Sequence, residues 1–375
     1  MGLKISAVRS DKEKKEFIML PFRIYKDNKY WVPPLISDMK DTLDESKNPL
    51  FLKGEHELFI AILDGKTVGR ICTGYDNTLL ELRHDNSGYI TMFECIDNYE
   101  VARVLFDTAI KWLKDKGYSS VRGPISPKGG GSDECRGLLV NAFDQSPVLM
   151  NSYNPEYYVD FFDNYGFKKY LDLYAYLLDP KLMFDKNPEK TILYAQKRYN
   201  FRVDPINLKK IDDEIHAIKY ILDLAVPEEW ADMAPPTLEE VRSMADQLMK
   251  FADPDIIPIA RSGDEPIGFG IALPDYNQVL KHMNGRMNPL SIMKFLWYKR
   301  KIDCARFFVM FVIPSFRKKG VSYAIYYFTF VNGLKKGYRW GEGSTIGETN
   351  TNMRTDIENC GGKHYKTYRI YQLDF

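Results

Sequence analysis

The chain has 375 residues and carries 52 Lys plus Arg against 51 Asp plus Glu, a formal net charge of +1. That length suits two domains of ordinary size, and the balanced charge excludes a bulk field that would draw nucleic acid or an anionic membrane, leaving such work to local clusters. Five scattered cysteines with no C-x-x-C pair exclude a zinc ribbon and a disulfide framework, and fit a reducing compartment.

In chain order, Met1 to Glu16 is charged and lacks the apolar core of a signal peptide, and no apolar run approaches the ~20 residues that cross a bilayer. A soluble, cytoplasmic protein is expected. Leu58 to Leu63, a turn at Asp64-Gly65-Lys66, and Val68 to Ile71 predict a hairpin. Tyr89 to Glu94 reads as a strand. Val101, Val104, Leu105, Ala109, Trp112 and Leu113 then recur at helical spacing, and the run stops at Lys116-Gly117. Lys128-Gly129-Gly130-Gly131-Ser132 has a superficial likeness to a nucleotide loop. It lacks the Gly-Lys-Ser/Thr order and is followed by Asp133 and Glu134, so it reads as an inserted loop able to cover an acceptor. Asp-Pro and Asn-Pro dipeptides between Asp179 and Pro188 mark a linker.

The same order of elements then returns. Ile256 to Ala260, a turn at Ser262-Gly263-Asp264, and Ile267 to Gly270 predict a second hairpin. Phe307 to Ile313 is an apolar strand, and Val321, Ala324, Ile325, Phe328, Val331 and Leu334 form a helical pattern that ends at Lys335-Lys336-Gly337. A strand over Tyr338 to Ile346 follows, then a helical segment with Asn350 and Met353 that runs up to Gly361. Lys363 to Phe375 reads as hairpin material. Gly69 and Gly268 are 199 apart, Gly117 and Gly337 220 apart, and Asn154 and Asn350 196 apart. The offsets place an insertion in the second half at Asp275 to Lys301 and one in the first half at Pro124 to Val148. The reading is an internal repeat.

Between the strand and helix of the second half lies Pro314-Ser315-Phe316-Arg317-Lys318-Lys319-Gly320-Val321-Ser322-Tyr323. A short basic loop opening into a helix presents free backbone N–H groups at the positive end of that helix, and Gly320 lets the backbone approach an anion. The run Arg317-x-x-Gly320-x-Ser322 resembles the acyl-CoA-binding motif of the GNAT acetyltransferase superfamily, Arg/Gln-x-x-Gly-x-Gly/Ala, with Ser322 in the last place. Asn350 and Gly361 keep the family's eleven-residue spacing. The resemblance implies a mixed α/β sheet fold with two GNAT-like acyl-CoA N-acyltransferase domains in tandem, residues 1–185 and 186–375. In the first copy Asp97 and Glu100 stand opposite Arg317 and Gly320; they cap a helix but repel a pyrophosphate. That copy is therefore expected to be degenerate and to shape an acceptor cleft.

The resemblance further implies acyl transfer from acetyl-CoA or another acyl-CoA to a small-molecule amine or peptide, with no metal, no nucleic acid and no membrane span. Splayed strands would free an oxyanion donor at Phe311 or Val312, typically worth ~3–4 kcal/mol. The pyrophosphate would rest on Arg317, Lys318, Lys319, Gly320, Val321, Ser322 and Tyr323, and Asn350 would reach the pantetheine arm. Many relatives carry a tyrosine acid seven residues after the asparagine; here that residue is Ile357. Tyr365, Tyr368 and Tyr326 are the substitutes, Glu342 the base acting through water, and Glu348 its alternative. His364 reads as a surface residue. Two other readings share the architecture: a Fem-like transferase using aminoacyl-tRNA, and an acyl-CoA-binding protein without catalysis.

Overall fold

A strand that alternates apolar and polar residues buries one face, and a helix with apolar residues three and four apart buries one stripe. The computed structural model, which describes residues 2–47, 51, 54–77, 86–125, 136–184, 187–226, 235–249 and 251–375, shows both patterns assembled twice. The Lys128–Ser132 run lies outside the described residues. The chain divides into two units: residues 1–173, 279–297 and 366–375 form the first, and residues 174–278 and 298–365 the second.

The first unit holds β1 (Lys4–Ala7), α1 (Asp11–Ile24), α2 (Ile36–Thr42), β2 (His56–Leu63), β3 (Lys66–Gly74), β4 (Ser87–Cys95), α3 (Tyr99–Asp115), β5 (Ser120–Gly123), β6 (Leu138–Leu139), α4 (Tyr157–Tyr165) and the start of β7 (Lys168–Leu178). Strands β1 to β4 pair in sequence order, all antiparallel, and β4 then pairs with β5 in parallel across the α3 crossover. Helix α3 packs its stripe of Val101, Leu105, Ala109 and Leu113 on that sheet.

The second unit repeats the plan with α5 (Pro188–Tyr199), β8 (Arg202–Pro205), α6 (Ile211–Ala225), α7 (Leu238–Leu248), β9 (Pro258–Ser262), β10 (Glu265–Pro274), β11 (Cys304–Val312), α10 (Val321–Lys336), β12 (Trp340–Gly347) and α11 (Thr351–Asn359), whereas half of α8 (Asn277–Leu280) and most of α9 (Pro289–Lys299) and β13 (Lys363–Asp374) fall in the first unit's segments. Here β8 to β11 are antiparallel neighbours, and β11 pairs with β12 in parallel across α10. The repeat extends to packing detail. A methyl on Gly69 would lie 2.7 Å from Leu105 of α3, and one on Gly268 would lie 3.3 Å from Ile325 of α10, so each glycine makes room for the crossover helix.

One expectation is corrected. Lys363–Asp374 is a single strand of 12 residues, not a hairpin. The segment contains no Gly, Pro, Asn or Asp before its last residue, so nothing turns it. Its last nine residues belong to the first unit, where Tyr371 to Asp374 pair with Gly123 to Ser120.

Candidate active site

The second unit contains a gap between two strands. β11 and β12 are paired from Cys304↔Trp340 to Phe307↔Gly343 and then diverge, while the other edge of β11 stays on β10 as far as Val312↔Gly268. The divergence starts at a β-bulge: the register shifts between Ile271 and Ala272, which leaves Phe308 as an extra residue on β11. The Ile313 N–H donates to the Ile267 carbonyl at 3.0 Å, so the amides of alternate residues point towards β10. Phe311 accordingly directs its N–H to β10, whereas Met310 and Val312 direct theirs into the gap. Of the two donors expected from sequence, Val312 has the geometry and Phe311 does not.

The chain leaves β11 through a 3-10 turn at Pro314–Phe316 and enters α10 at Gly320. Lys318 (φ 59°) and Gly320 (φ 81°) are both left-handed, which curls the intervening amides into a concave loop. Gly320 at the N-cap has no side chain with which to cap α10, and the first helical bond runs from Ala324 N–H to the Gly320 carbonyl at 3.0 Å. The N–H groups of Val321 and Ser322 precede that bond and have no intrahelical acceptor. The Arg317 guanidinium donates to the Ala225 carbonyl at 2.9 Å and the Val312 carbonyl at 3.3 Å, tying the loop to the end of α6 and to β11. The Lys319 ammonium lies 4.9 Å from the Phe316 ring centre and 5.6 Å from that of Tyr199, and Lys318 is exposed. The loop is thus braced by one cation and flanked by two more, with backbone donors at its mouth.

Where the strands part, a buried polar cluster fills the fork. Arg306 and Glu342 are register partners, and neither has exposed surface. Arg306 Nε and Nη2 donate to the Ser344 carbonyl at 3.2 and 3.0 Å, and the Ser344 hydroxyl donates to Glu342 Oε1 at 2.6 Å. The Tyr365 hydroxyl donates to Glu342 Oε2. A charge is tolerated at such depth only when paired and hydrogen-bonded, and these partners supply that. The structure therefore brings together the two residues that sequence nominated for proton handling. It also changes the route: Glu342 is sealed from the surface, and Tyr365, half-buried, is the hydroxyl that connects it outwards. Arg306 and Ser344 were not foreseen.

Among the remaining nominees, the contacts of Asn350 and Tyr326 are those of capping and packing. Asn350 Oδ1 accepts the Met353 N–H at 3.2 Å and caps α11. Ile357, standing where a tyrosine was sought, is buried so closely that a methyl on Gly343 would lie 2.3 Å from its Cδ1. Tyr326 is buried, with its hydroxyl 3.6 Å from Met353 Sδ, and Tyr368 is buried in the first unit. The Glu348 carbonyl accepts from Arg354 at 2.9 Å, and exposed His364 packs on the Tyr174 ring at 4.4 Å. Asp356 is a new feature of this region. Burial pushes its carboxyl above the usual range, partly offset by a hydrogen bond with Ser322 at the loop.

The first unit begins its crossover helix differently. Asn98 accepts the Glu100 N–H at 3.0 Å, and Glu100 pairs with Arg103, so that helix start is capped by its own side chain and carries a carboxylate. Its fork holds Glu94, which accepts from the Tyr25 and Tyr158 hydroxyls at 2.8 Å each, with Arg70 3.7 Å away. Burial raises the Glu94 carboxyl despite that guanidinium. Asn154 is committed to Leu139, whose N–H and carbonyl it bonds at 2.7 and 3.1 Å.

No family model matches the chain. It is 28% identical over 99% of its length to Bacterial ceramide synthase of Caulobacter vibrioides, covering 97% of that protein, and 28% identical over 96% of its length to Protein YghO of Escherichia coli, covering 92% of it. Among solved structures, a tandem GNAT protein from the clavulanic acid biosynthesis pathway superposes with a TM-score of 0.59 at 11% identity, over 99% of this chain and 98% of that one. A GCN5-related glucosamine N-acetyltransferase region in a fungal multi-domain β-N-acetylglucosaminidase gives 0.56 at 13% identity; this chain spans only 38% of that larger protein. The fold is that of two GNAT domains in tandem.

Proposed function

We propose that the protein is an acyl-CoA-dependent N-acyltransferase whose chemistry takes place in the second unit. The observation that carries this reading is the start of α10 at a glycine N-cap, where a loop curled by Lys318 and Gly320 offers backbone donors beside diverging strands. Amides so arranged suit a pyrophosphate. The Val312 and Met310 amides, turned into the gap, suit the pantetheine arm and the developing oxyanion of a thioester carbonyl. In the reaction, the amine nitrogen bonds to that carbonyl carbon, the C–S bond breaks, the proton lost by nitrogen passes to the Tyr365–Glu342 pair, and the leaving thiolate takes a proton from Tyr365. Glu342 acts only through Tyr365 and is a positioning residue.

A ceramide is the amide of a fatty acid with a long-chain amino alcohol. The likeness to Bacterial ceramide synthase across nearly the whole chain makes such an amine the acceptor we assign, with a fatty acyl-CoA as donor. The test is turnover of purified protein with acetyl-CoA and with long-chain acyl-CoAs, each offered a long-chain amino alcohol or a short primary amine, and followed by mass spectrometry of the amide and by thiol release. The expected result is amide and free CoA in equal amounts from the long-chain pair. Thiol release without amide under every condition would remove the proposal.

A further inference from the structure

Between Asp275 and Asp303 the chain carries no carboxylate, yet it places six cations there, Lys281, Arg286, Lys294, Lys299, Arg300 and Lys301, against a net charge of +1 for the whole protein. The middle of this stretch is α9, a helix with its apolar residues turned outwards. Leu290 is 62% exposed, Met293 68%, Leu296 59% and Trp297 61%, with Met287 at 59% just before the helix. Ser291 is buried and Phe295 and Tyr298 are half-buried, which places the inward face of the helix at positions i, i+4 and i+7. Leu290, Met293 and Trp297 lie along a single stripe with Leu296 beside it. Lys294 borders that stripe on one side and Lys299 on the other, with Arg300 and Lys301 just past the end of the helix.

Next to the start of α9, in the first unit, is a cleft of about 390 Å³. Lys26, Lys29, Lys281 and Arg286 line it together with Tyr25 and Trp31, and among the described residues none that lines it is acidic. Lys281 also donates to the Ser146 hydroxyl at 3.2 Å, which fixes its side chain at the rim.

We propose that α9 is a membrane-surface element. It lies in the headgroup layer of an anionic bilayer with its apolar stripe against the acyl chains, and the cationic cleft takes lipid phosphates. A helix with Leu, Met and Trp on one side and lysines along the borders has the composition that such a position selects. Charge decides against a second copy of the chain: a two-fold contact through this surface would set six cations against six. The same charge complements phosphatidylglycerol or any other acidic headgroup. This inference stands apart from the acyl-transfer reading, since vesicle binding reports it without turnover.

The test is co-sedimentation of the full chain with phosphatidylcholine vesicles, with and without phosphatidylglycerol. Binding is expected only to the anionic vesicles, with a blue shift of Trp297 emission that disappears in Trp297→Phe, and soluble glycerol phosphate should not displace it. A Met293→Asp/Trp297→Asp variant and a Lys294→Glu/Lys299→Glu/Arg300→Glu variant should each weaken binding at least about tenfold while keeping the wild-type thermal midpoint. Since all five side chains are exposed, both variants are expected to fold; should one fail, the other variant and the Trp297 emission still decide. Wild-type protein that ignores anionic vesicles, variants that bind them equally well, or a dimer dissolved by the same substitutions would each overturn the proposal.

Discussion

Gly320 and Gly337 sit at opposite ends of the same helix, and both are left-handed, at φ 81° and 97°. Alanine at either position pays the same backbone penalty, about 1–2 kcal/mol for an L-residue in that region. Their surroundings differ little: a methyl at Gly337 meets nothing within 4 Å, and one at Gly320 meets only the Ala195 methyl, at 3.0 Å. The two substitutions should therefore cost similar stability, with Gly320→Ala slightly worse. Their effects on ligand binding should separate. At Gly320 the chain relieves the strain by rotating the amides that precede Ala324, which misaligns two or more donors. Bonds to a charged oxygen are worth about 1.5–3 kcal/mol each, so losing two weakens CoA binding by at least a hundredfold. Gly337 is at the far end of α10 and should leave affinity unchanged. Urea unfolding gives the stabilities and calorimetric titration with CoA gives the affinities. If both variants bind CoA as the wild type does while being equally destabilised, the loop does not hold the pyrophosphate.

Tyr365→Phe should lower kcat by about 10²–10⁴-fold, the range for lost general acid–base catalysis, and leave CoA affinity as it is; a steady-state comparison checks both, and an unchanged kcat would remove Tyr365 from the chemistry. Because burial raises the folded-state pKa of Asp356, its anion destabilises the protein at pH values above that pKa, and the penalty disappears as pH falls through it. Asp356→Asn should accordingly raise the thermal midpoint at neutral pH but not in acid, and should tighten CoA binding by about 1 kcal/mol through removal of a negative charge beside Ser322. Arg317→Ala removes the tie to Ala225 and Val312, and is expected to weaken CoA binding and to raise hydrogen exchange in residues 314–320 without loss of global stability beyond about 1–3 kcal/mol.

The sequence made the elements of both copies legible because hairpin turns, helical stripes and the glycines ending the crossover helices are local signals. The basic loop was legible for the same reason: a strand, a glycine and a helix stripe adjoin one another in the chain. Arg306 was hidden, since an arginine within an apolar strand discloses its role only when the parallel register sets it opposite Glu342. Ser344 and Asp356 depend likewise on side-chain approaches that no spacing rule encodes. The association of residues 279–297 and 366–375 with the first unit was also out of reach, because contacts so distant in sequence leave no periodicity behind. The choice between Phe311 and Val312 turned on a single hydrogen bond from Ile313, which fixes which amides face the gap.

The account depends on one helix start gripping a diphosphate while its counterpart in the first copy, capped by Asn98, does not. Backbone hydrogen exchange with and without CoA measures this directly. Protection should appear across residues 310–323 and be absent from residues 92–103. Protection of both segments, or of neither, would contradict it.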